Sequence, residues 1–193
     1  MSAASVDNEL VARVQRGDKA AFDVLVKKYQ HKIFGLISRY IKDHAEVMDV
    51  AQDAFVKAYR ALPNFRGDSA FYTWLYRIAI NTAKNYLAAQ GRRPPGSDID
   101  SAEAENYSVG DALREHDSPE KLLMRDQMRK LVHDTMEELP DELKTALSLR
   151  EFENMSYEEI AHIMDCPVGT VRSRIFRARA AIDEALEPLL KEQ

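Results

Sequence analysis

The stretch SYEEIAHIMDCPVGTVRSRIFRAR, residues 156–179, decides the fold of the C-terminal part of the chain. Ser156 and Glu159 have the spacing of a capping box, in which each side chain satisfies a free backbone N–H at a helix start. This first helix should end at residues 165–167, and a second should begin near Val168, because proline cannot continue a helix. The buried positions expected in the first helix are Ile160, Ala161 and Met164. Two short helices joined by so tight a turn must cross steeply, which predicts a helix-turn-helix.

The second helix of this pair has an apolar and a basic face. Val171, Ile175 and Ala178 should face inward. The outward positions are Arg172, Ser173, Phe176, Arg177 and Arg179. Arginine side chains suit both phosphates and guanine edges, so this face is suited to reading duplex DNA. The alternative is a helical hairpin with a solvated arginine face. It is less favoured because four arginines (172, 174, 177 and 179) fall in eight residues, whereas a surface made for solubility interleaves both signs.

Composition predicts an all-α protein. The 193 residues include only 7 Gly and 7 Pro, too few for the many turns of an all-β fold. The single cysteine, Cys166, excludes an internal disulfide, fits a reducing cytoplasm and is expected to be a small buried apolar residue. No signal peptide and no apolar run of about 18 residues is evident, so we expect a cytoplasmic protein that does not insert into a membrane.

Charge divides the chain into unequal parts. Residues 1–93 hold 15 Lys and Arg against 9 Asp and Glu, a net +6. Residues 94–128 hold 3 against 9, a net −6, and residues 129–193 hold 9 against 14, a net −5. The basic patch of the helix-turn-helix therefore lies in an acidic surround, and DNA binding by the free protein should be weak.

Helical spacing predicts a four-helix N-terminal domain over residues 1–91. The expected boundaries are Gly17 at the end of the first helix, Asp18 as cap of the second, Pro63 after the third, and Ser69 as cap of a fourth that runs to Gly91. Residues 92–119 lose this periodicity, are broken by Pro and Gly and are rich in acids, which is typical of a linker. Helical spacing returns in residues 120–193, which should form a second helical domain ending in the helix-turn-helix.

The fourth helix carries an unusual face. Residues 65–86 contain six of the 16 aromatic residues, Phe65, Phe71, Tyr72, Trp74, Tyr76 and Tyr86. Phe71, Leu75, Ile78, Ala79 and Thr82 should form the buried face, which leaves Trp74, Arg77, Asn81 and Lys84 on another. Such a face can stack unpaired bases and bind phosphate. An ordinary structural role is the alternative: core packing applies to Phe71 and stays open for Trp74, and a structural role also stays open for Arg77, Asn81 and Lys84.

Two motifs in the helix-turn-helix resemble region 4 of sigma factors. They are MSYEEIA, residues 155–161, and PVGTVRSR, residues 167–174. The resemblance implies that this unit reads the −35 element of a promoter. The residues implied to contact DNA are Thr170, Arg172, Ser173, Phe176 and Arg177, with Arg150 and Tyr157 in support.

The motif NFRGDSAFYTWLYRIA, residues 64–79, resembles sigma region 2, which captures the −10 element as single strand. The loop 64–69 would then house a flipped base. The implied −10 contacts are Phe65, Ser69, Trp74, Arg77, Asn81 and Lys84. The preceding segment 49–62 resembles the part of region 2 that docks on core RNA polymerase, with Asp49, Gln52 and Asp53 as contacts.

The resemblance covers roughly residues 11–92 and 127–186 and is to a minimal extracytoplasmic-function (ECF) sigma factor. The runs GRRPP, residues 91–95, and DCPVG, residues 165–169, further resemble the sigma-E envelope-stress branch. The resemblance implies three partners, namely core RNA polymerase, promoter DNA and a membrane-anchored anti-sigma factor, and it implies no cofactor, metal or small-molecule substrate. The linker would thread the polymerase's active-site and RNA-exit channel. A stand-alone helix-turn-helix activator or repressor is the alternative. An enzyme is not expected, because no glycine-rich phosphate loop, metal-spaced His/Cys cluster or activated nucleophile is present in the sequence.

Overall fold

A computed structural model describes residues 3–91 and 119–191, with side chains for 5–91 and 123–191. These residues form α-helices and one 3-10 turn, with no β-strand among them, so the predicted all-α fold class is confirmed. The predicted linker 92–119 lies outside the described residues except for Pro119, which begins a helix. The chain divides into two compact units, Met1–Asn106 and Tyr107–Gln193.

The N-terminal unit contains four helices, as expected. They are α1 (Ala3–Gln15), α2 (Lys19–Ile37), α3 (His44–Ala61) and α4 (Phe71–Gln90), with a 3-10 turn at Leu62–Asn64 between the last two. Gly17 takes a positive φ of 95° just after α1, a conformation that glycine adopts without steric cost. The carboxylate of Asp18 then accepts the backbone N–H of Ala21 and caps α2.

The start of α4 differs from the prediction. Ser69 does not cap the helix, which begins at Phe71 with Ala70 in the cap position and no capping side chain. Helix starts can do without a side-chain cap when their free N–H groups reach water. Ser69 is instead half-buried at the end of the loop that leads into α4.

Large side chains from all four helices and the 3-10 turn meet in the core of this unit. The fully buried ones are Leu25, Ile33, Leu36, Ile37, Leu62, Phe71, Leu75 and Tyr76. Asp7 of α1 is also buried, at 3% exposure, and is satisfied by Lys28 Nζ and Tyr29 Oη of α2, each at 2.5 Å. This polar cluster and the apolar core together hold α1 against α2.

The C-terminal unit contains α5 (Pro119–Glu138), α6 (Asp141–Glu151), α7 (Tyr157–Met164) and α8 (Val168–Lys191). The second helix of the helix-turn-helix was expected to be short, yet α8 has 24 residues and includes Pro188. Its continuation packs against α5, which adds contacts that local sequence does not encode. The core is built from Ala146, Leu147, Leu149, Ile160, Val171, Ile175 and Ala178.

Two expected burials in this unit are wrong. Met164 is half-buried, and Ile163 is buried in its place at 3% exposure, so the buried face of α7 consists of Ile160, Ala161 and Ile163. Cys166 is also half-buried, since it lies in the turn after α7. Its Sγ accepts a hydrogen bond from Arg174 Nη1 at 3.3 Å.

Candidate nucleic-acid interface

The helix-turn-helix is set by hydrogen bonds at both ends of α7. Ser156 Oγ accepts the Glu159 N–H at 3.2 Å, and Glu159 Oε2 accepts the Ser156 N–H at 2.8 Å, so the predicted capping box is confirmed. Asp165 ends α7 in the left-handed region (φ 51°, ψ 54°). Pro167 O then accepts the N–H groups of Thr170 and Val171 at the start of α8. The turn between α7 and α8 is therefore closed by local contacts alone.

The two faces of α8 are those expected from the sequence. Val171, Ile175 and Ala178 are buried at 0–2% exposure. The opposite face exposes Arg172, Ser173, Phe176 and Arg177, while Thr170 in the first turn is half-buried. Phe176 is 73% exposed, so its ring is available for contact with a ligand. This face offers two cations, a hydroxyl and an apolar ring.

Tyr157 lies between two of the arginines. Arg150 Cζ is 5.0 Å from the centre of its ring, and Arg172 Cζ is 5.8 Å from it. Arg150 is half-buried, and its Nη1 donates to Met155 O at 2.7 Å. Arg150 thus fixes the turn between α6 and α7, and Tyr157 supports the exposed Arg172 through a cation–π contact.

Of the other two arginines of α8, Arg179 is exposed as predicted and Arg174 is not, and both pair with acids of α6. Arg174 is only 17% exposed in its side chain and donates to Glu142 of α6 as well as to Cys166. Arg179 is exposed but pairs with Glu151, and the bond to that carboxylate raises the pKa of Arg179. Acids on α6 therefore neutralise two of the four arginines, a pairing between distant residues that local charge counting missed.

A second polar face lies on α4. Asn81 is exposed, while Trp74, Arg77 and Lys84 are half-buried, so the predicted set lies on the accessible side of the helix. The Trp74 ring packs 4.9 Å from Phe65 and 5.8 Å from Phe71 between ring centres. Trp74 is therefore part of a small aromatic cluster and also borders the polar face. Ile78, expected in the core, is half-buried.

The loop 64–69 precedes this face. Its central residues Arg66, Gly67 and Asp68 are exposed, while Phe65 and Ser69 at its ends are half-buried. Gly67 has a positive φ of 78°, which lets the chain turn sharply at the tip. The loop is thus open to solvent in its middle and held at both ends.

The exposed face of α3 carries the predicted polar residues Asp49, Gln52 and Asp53. Asp53 pairs with Lys57 at 2.7 Å, one helical turn on. Met48 and Val56 lie on the same surface at 46% and 39% exposure, and sequence reasoning missed them. Residues eight positions apart lie on the same face of a helix, so the spacing of Met48 and Val56 places both on the polar face and could have identified them. The face therefore combines acids with exposed apolar side chains.

No described residues form a cluster of three His, Cys, Asp or Glu side chains that could hold a metal ion. Among the helices within 3–91 and 119–191, none is long and apolar enough to cross a membrane.

Comparisons with known proteins match both units. Residues 25–93 match the family model for Sigma-70 region 2, and residues 129–182 match that for Sigma-70, region 4. RNA polymerase sigma-H factor of Pseudomonas aeruginosa is 66% identical over 186 residues, which cover 96% of each chain. ECF RNA polymerase sigma-E factor of Escherichia coli K12 is 61% identical over 191 residues, covering 99% of this chain and 100% of the relative.

A solved structure has the same fold across both units. CnrH, determined in complex with the cytosolic domain of CnrY, matches with a TM-score of 0.68 at 26% identity. The match covers 95% of this chain and 98% of CnrH.

The helix-turn-helix and these matches define a transcription initiation factor. The chain belongs to the sigma-70 family, and within it to the ECF sigma factors, as its motifs predicted. Sigma factors bind core RNA polymerase and direct it to promoters, and they are not enzymes. A stand-alone activator or repressor is not favoured, because similarity to sigma factors extends over the whole chain.

Proposed function

We propose that residues 1–91 and 120–193 are two recognition units that read two elements of one promoter, joined by the linker 92–119. The C-terminal unit reads the −35 element as duplex, with α8 in the major groove. The observation that carries this proposal is the exposed set Arg172, Ser173, Phe176 and Arg177, opposite the buried side of α8. Two guanidiniums can read guanine edges, and the Phe176 ring can contact a thymine methyl group or a sugar.

The N-terminal unit captures the −10 element as a melted strand. Arg77, Asn81 and Lys84 supply phosphate and base-edge contacts, and the cluster around Trp74 supplies an aromatic edge for stacking. The open loop 64–69 receives one flipped base, with Phe65 and Ser69 at its ends. Stacking of about 1 to 3 kcal/mol per base is comparable with the cost of unstacking a base step, so these contacts can hold the duplex open.

The exposed face of α3 docks on core RNA polymerase. Asp49, Gln52 and Asp53 provide polar contacts, and Met48 and Val56 provide apolar surface. Exposed apolar side chains beside charged ones are typical of a surface that a protein partner covers.

We infer that this protein is regulated like members of the sigma-E branch, because it is similar to the ECF RNA polymerase sigma-E factor of Escherichia coli. The protein works in the cytoplasm in an envelope-stress response and is held inactive by a membrane-anchored anti-sigma factor. The related CnrH was solved with the cytosolic domain of CnrY, which is a precedent for binding such a domain.

A transcription assay with purified bacterial core polymerase and a promoter library tests the proposal. The wild-type protein should support run-off transcripts from a subset of promoters that share a −35 and a −10 sequence. Arg172→Ala with Arg177→Ala should relax the −35 preference, and Asp49→Lys with Asp53→Lys should weaken binding to core. Core binding as tight as that of the wild type in the variant with Asp49→Lys and Asp53→Lys would overturn the docking assignment. Transcripts with no shared −35 sequence would overturn the reading role of α8.

A further inference from the structure

Gln15, the last residue of α1, connects distant parts of the chain. Its Nε2 donates to Leu62 O at 3.0 Å and to Phe65 O at 2.9 Å. These acceptors are 47 and 50 residues further along the chain. Both belong to the connection between α3 and α4, so one side-chain amide bridges the two ends of the segment that leads into the loop 64–69.

The same segment is fixed by two further contacts. The Phe65 N–H donates to Leu62 O at 3.0 Å and closes the 3-10 turn. The Phe65 ring packs against Trp74 and against Phe71, with ring centres 4.9 and 6.3 Å apart. Gln15 thus holds the Phe65 backbone on one side while the aromatic rings hold its side chain on the other. Everything beyond Phe65, as far as Asp68, is exposed.

Because of where these bonds lie, removing them should affect the order of the loop 64–69 more than the stability of the N-terminal unit. Gln15 is exposed, and its bond to Phe65 O lies at the surface, so water can replace it when the amide is removed. Removal of the Gln15 amide should therefore lower the free energy of unfolding only slightly. The loop, in contrast, would lose a restraint at its entrance and gain backbone freedom that must be removed again on binding.

We propose that Gln15 is a positioning residue that presets the loop 64–69 for one unpaired base of the promoter strand. The inference rests on the proposed −10 function of that loop. It adds α1 to the elements that determine base selection, although α1 itself makes no contact with the strand.

The test compares Gln15→Met, which keeps the side-chain length and removes both N–H donors, with Asn8→Leu, a similar replacement at an exposed amide of α1. Holoenzyme is assembled from each variant and core polymerase. Its affinity is measured for a fluorescent single strand carrying the −10 sequence obtained from the promoter library. A series of strands, each with one abasic position, is measured in parallel.

Gln15→Met should lower affinity for the intact strand about three- to tenfold, the range that one net hydrogen bond supplies. It should leave unchanged the affinity for the strand that lacks the base held by the loop. Asn8→Leu should match the wild type on all strands, and the unfolding midpoint followed by Trp74 fluorescence should shift little in both variants. Gln15→Glu, which presents a carboxylate to the same two carbonyls, should reproduce the selective loss and serves if Gln15→Met does not fold.

The outcomes separate this inference from the function on which it rests. Equal weakening on every strand, or no weakening, would overturn the role of Gln15 while the loop keeps its assignment. A wild-type holoenzyme that binds the intact strand and all abasic strands equally would overturn the −10 role of the loop, and the role of Gln15 with it.

Discussion

The four arginines of α8 have different surroundings, and these predict different roles. Arg172 rests on Tyr157, Arg174 is bound to Glu142, and Arg179 is paired with Glu151. Arg177 is exposed and makes no hydrogen bond or ion pair with any residue that the structure describes. A guanidinium without an internal partner can transfer its hydrogen bonds to a base without first breaking others.

Replacing Arg177 with alanine should reduce the preference for one base at a single promoter position by about 1 to 3 kcal/mol of binding free energy. A bidentate contact to guanine supplies this much discrimination against the other bases. Competition binding of holoenzyme to −35 duplexes with single base-pair changes measures it. Arg174→Ala is the control, and it should lower stability while leaving the base preference as in the wild type, since Arg174 is already bonded within the unit. Equal weakening of every duplex by Arg177→Ala would make Arg177 a phosphate contact instead.

Asn81→Ala should impair the −10 step selectively. The exposed amide of Asn81 can pair with a base edge only after strands separate, so −35 duplex binding should stay unchanged while promoter opening slows. Permanganate footprinting of the melted region measures opening. Asn85→Ala removes an exposed amide one turn further on, in the groove that also contains Asp49 and Asp53. Compared at equal occupancy of core polymerase, it should leave promoter opening at the wild-type rate. Opening at the wild-type rate in Asn81→Ala would contradict the assignment.

At the scale of elements, the cap of α7 provides a sharp comparison. Ser156→Ala removes a bond from the Glu159 N–H and should lower the free energy of unfolding of the C-terminal unit by about 0.5 to 2 kcal/mol. Ser148→Ala makes the same change in α6, where the buried Oγ has no hydrogen-bond partner among the described residues, and should leave stability unchanged or raise it.

Urea unfolding followed by far-ultraviolet circular dichroism measures both serine variants. Trp74, the only tryptophan, reports on the N-terminal unit alone and should show no shift. Equal destabilisation by both variants would show that the hydrogen bond made by Ser156 Oγ does not stabilise the C-terminal unit.

The junction of α1 and α2 predicts a dependence on pH. Burial, together with the Asp7 carboxylate, raises the pKa of the Tyr29 hydroxyl above its ordinary value of 10.0. Because the folded pKa is raised, the stabilisation is complete below pH 10 and is lost as the unfolded phenol ionises above it. Tyr29→Phe should therefore cost about 1 to 3 kcal/mol near neutral pH. The difference in the free energy of unfolding between Tyr29→Phe and the wild type should become smaller at higher pH.

Unfolding in urea, followed by Trp74 fluorescence at pH 7 and above pH 10, tests this dependence. Tyr59→Phe is the matched control, since Tyr59 is 37% exposed and its ring packs against Phe22. A difference that stays constant with pH would show that Tyr29 does not titrate as proposed.

These elements also show what the sequence could predict. Helix order, the Asp18 and Ser156 caps and the two faces of α8 follow from spacing, because they depend on neighbours within one or two turns. The Asp7 cluster, the pairs made by Arg174 and Arg179, and the bonds of Gln15 join residues 21 to 50 positions apart. Such contacts depend on how helices pack, and no local pattern of residue types encodes them.

At the scale of the whole molecule, we expect the acids of α6 to weaken DNA binding by the free protein, because they pair with Arg174 and Arg179. Changing Glu142 and Glu151 together to glutamine should release Arg174 and Arg179 for phosphate contacts. The free protein should then bind nonspecific duplex more tightly. The logarithm of its binding constant should fall more steeply with the logarithm of salt concentration, by about 0.9 in slope for each cation that reaches a phosphate.

Filter binding across a salt series measures this slope. Glu158→Gln with Glu184→Gln changes the net charge equally at two exposed acids and separates a local release of arginines from a general charge effect. Identical slopes in both double variants would contradict the role of the α6 pairs.

The pairing of two arginines within the C-terminal unit also bears on where the protein resides in a cell. Chromosomes offer roughly a million or more nonspecific sites, and a protein with four free arginines on one face would spend more of its time scattered among them. Because Glu142 and Glu151 occupy two of those side chains, we expect a larger share of the protein to stay off nonspecific DNA. That share is then free to bind core polymerase.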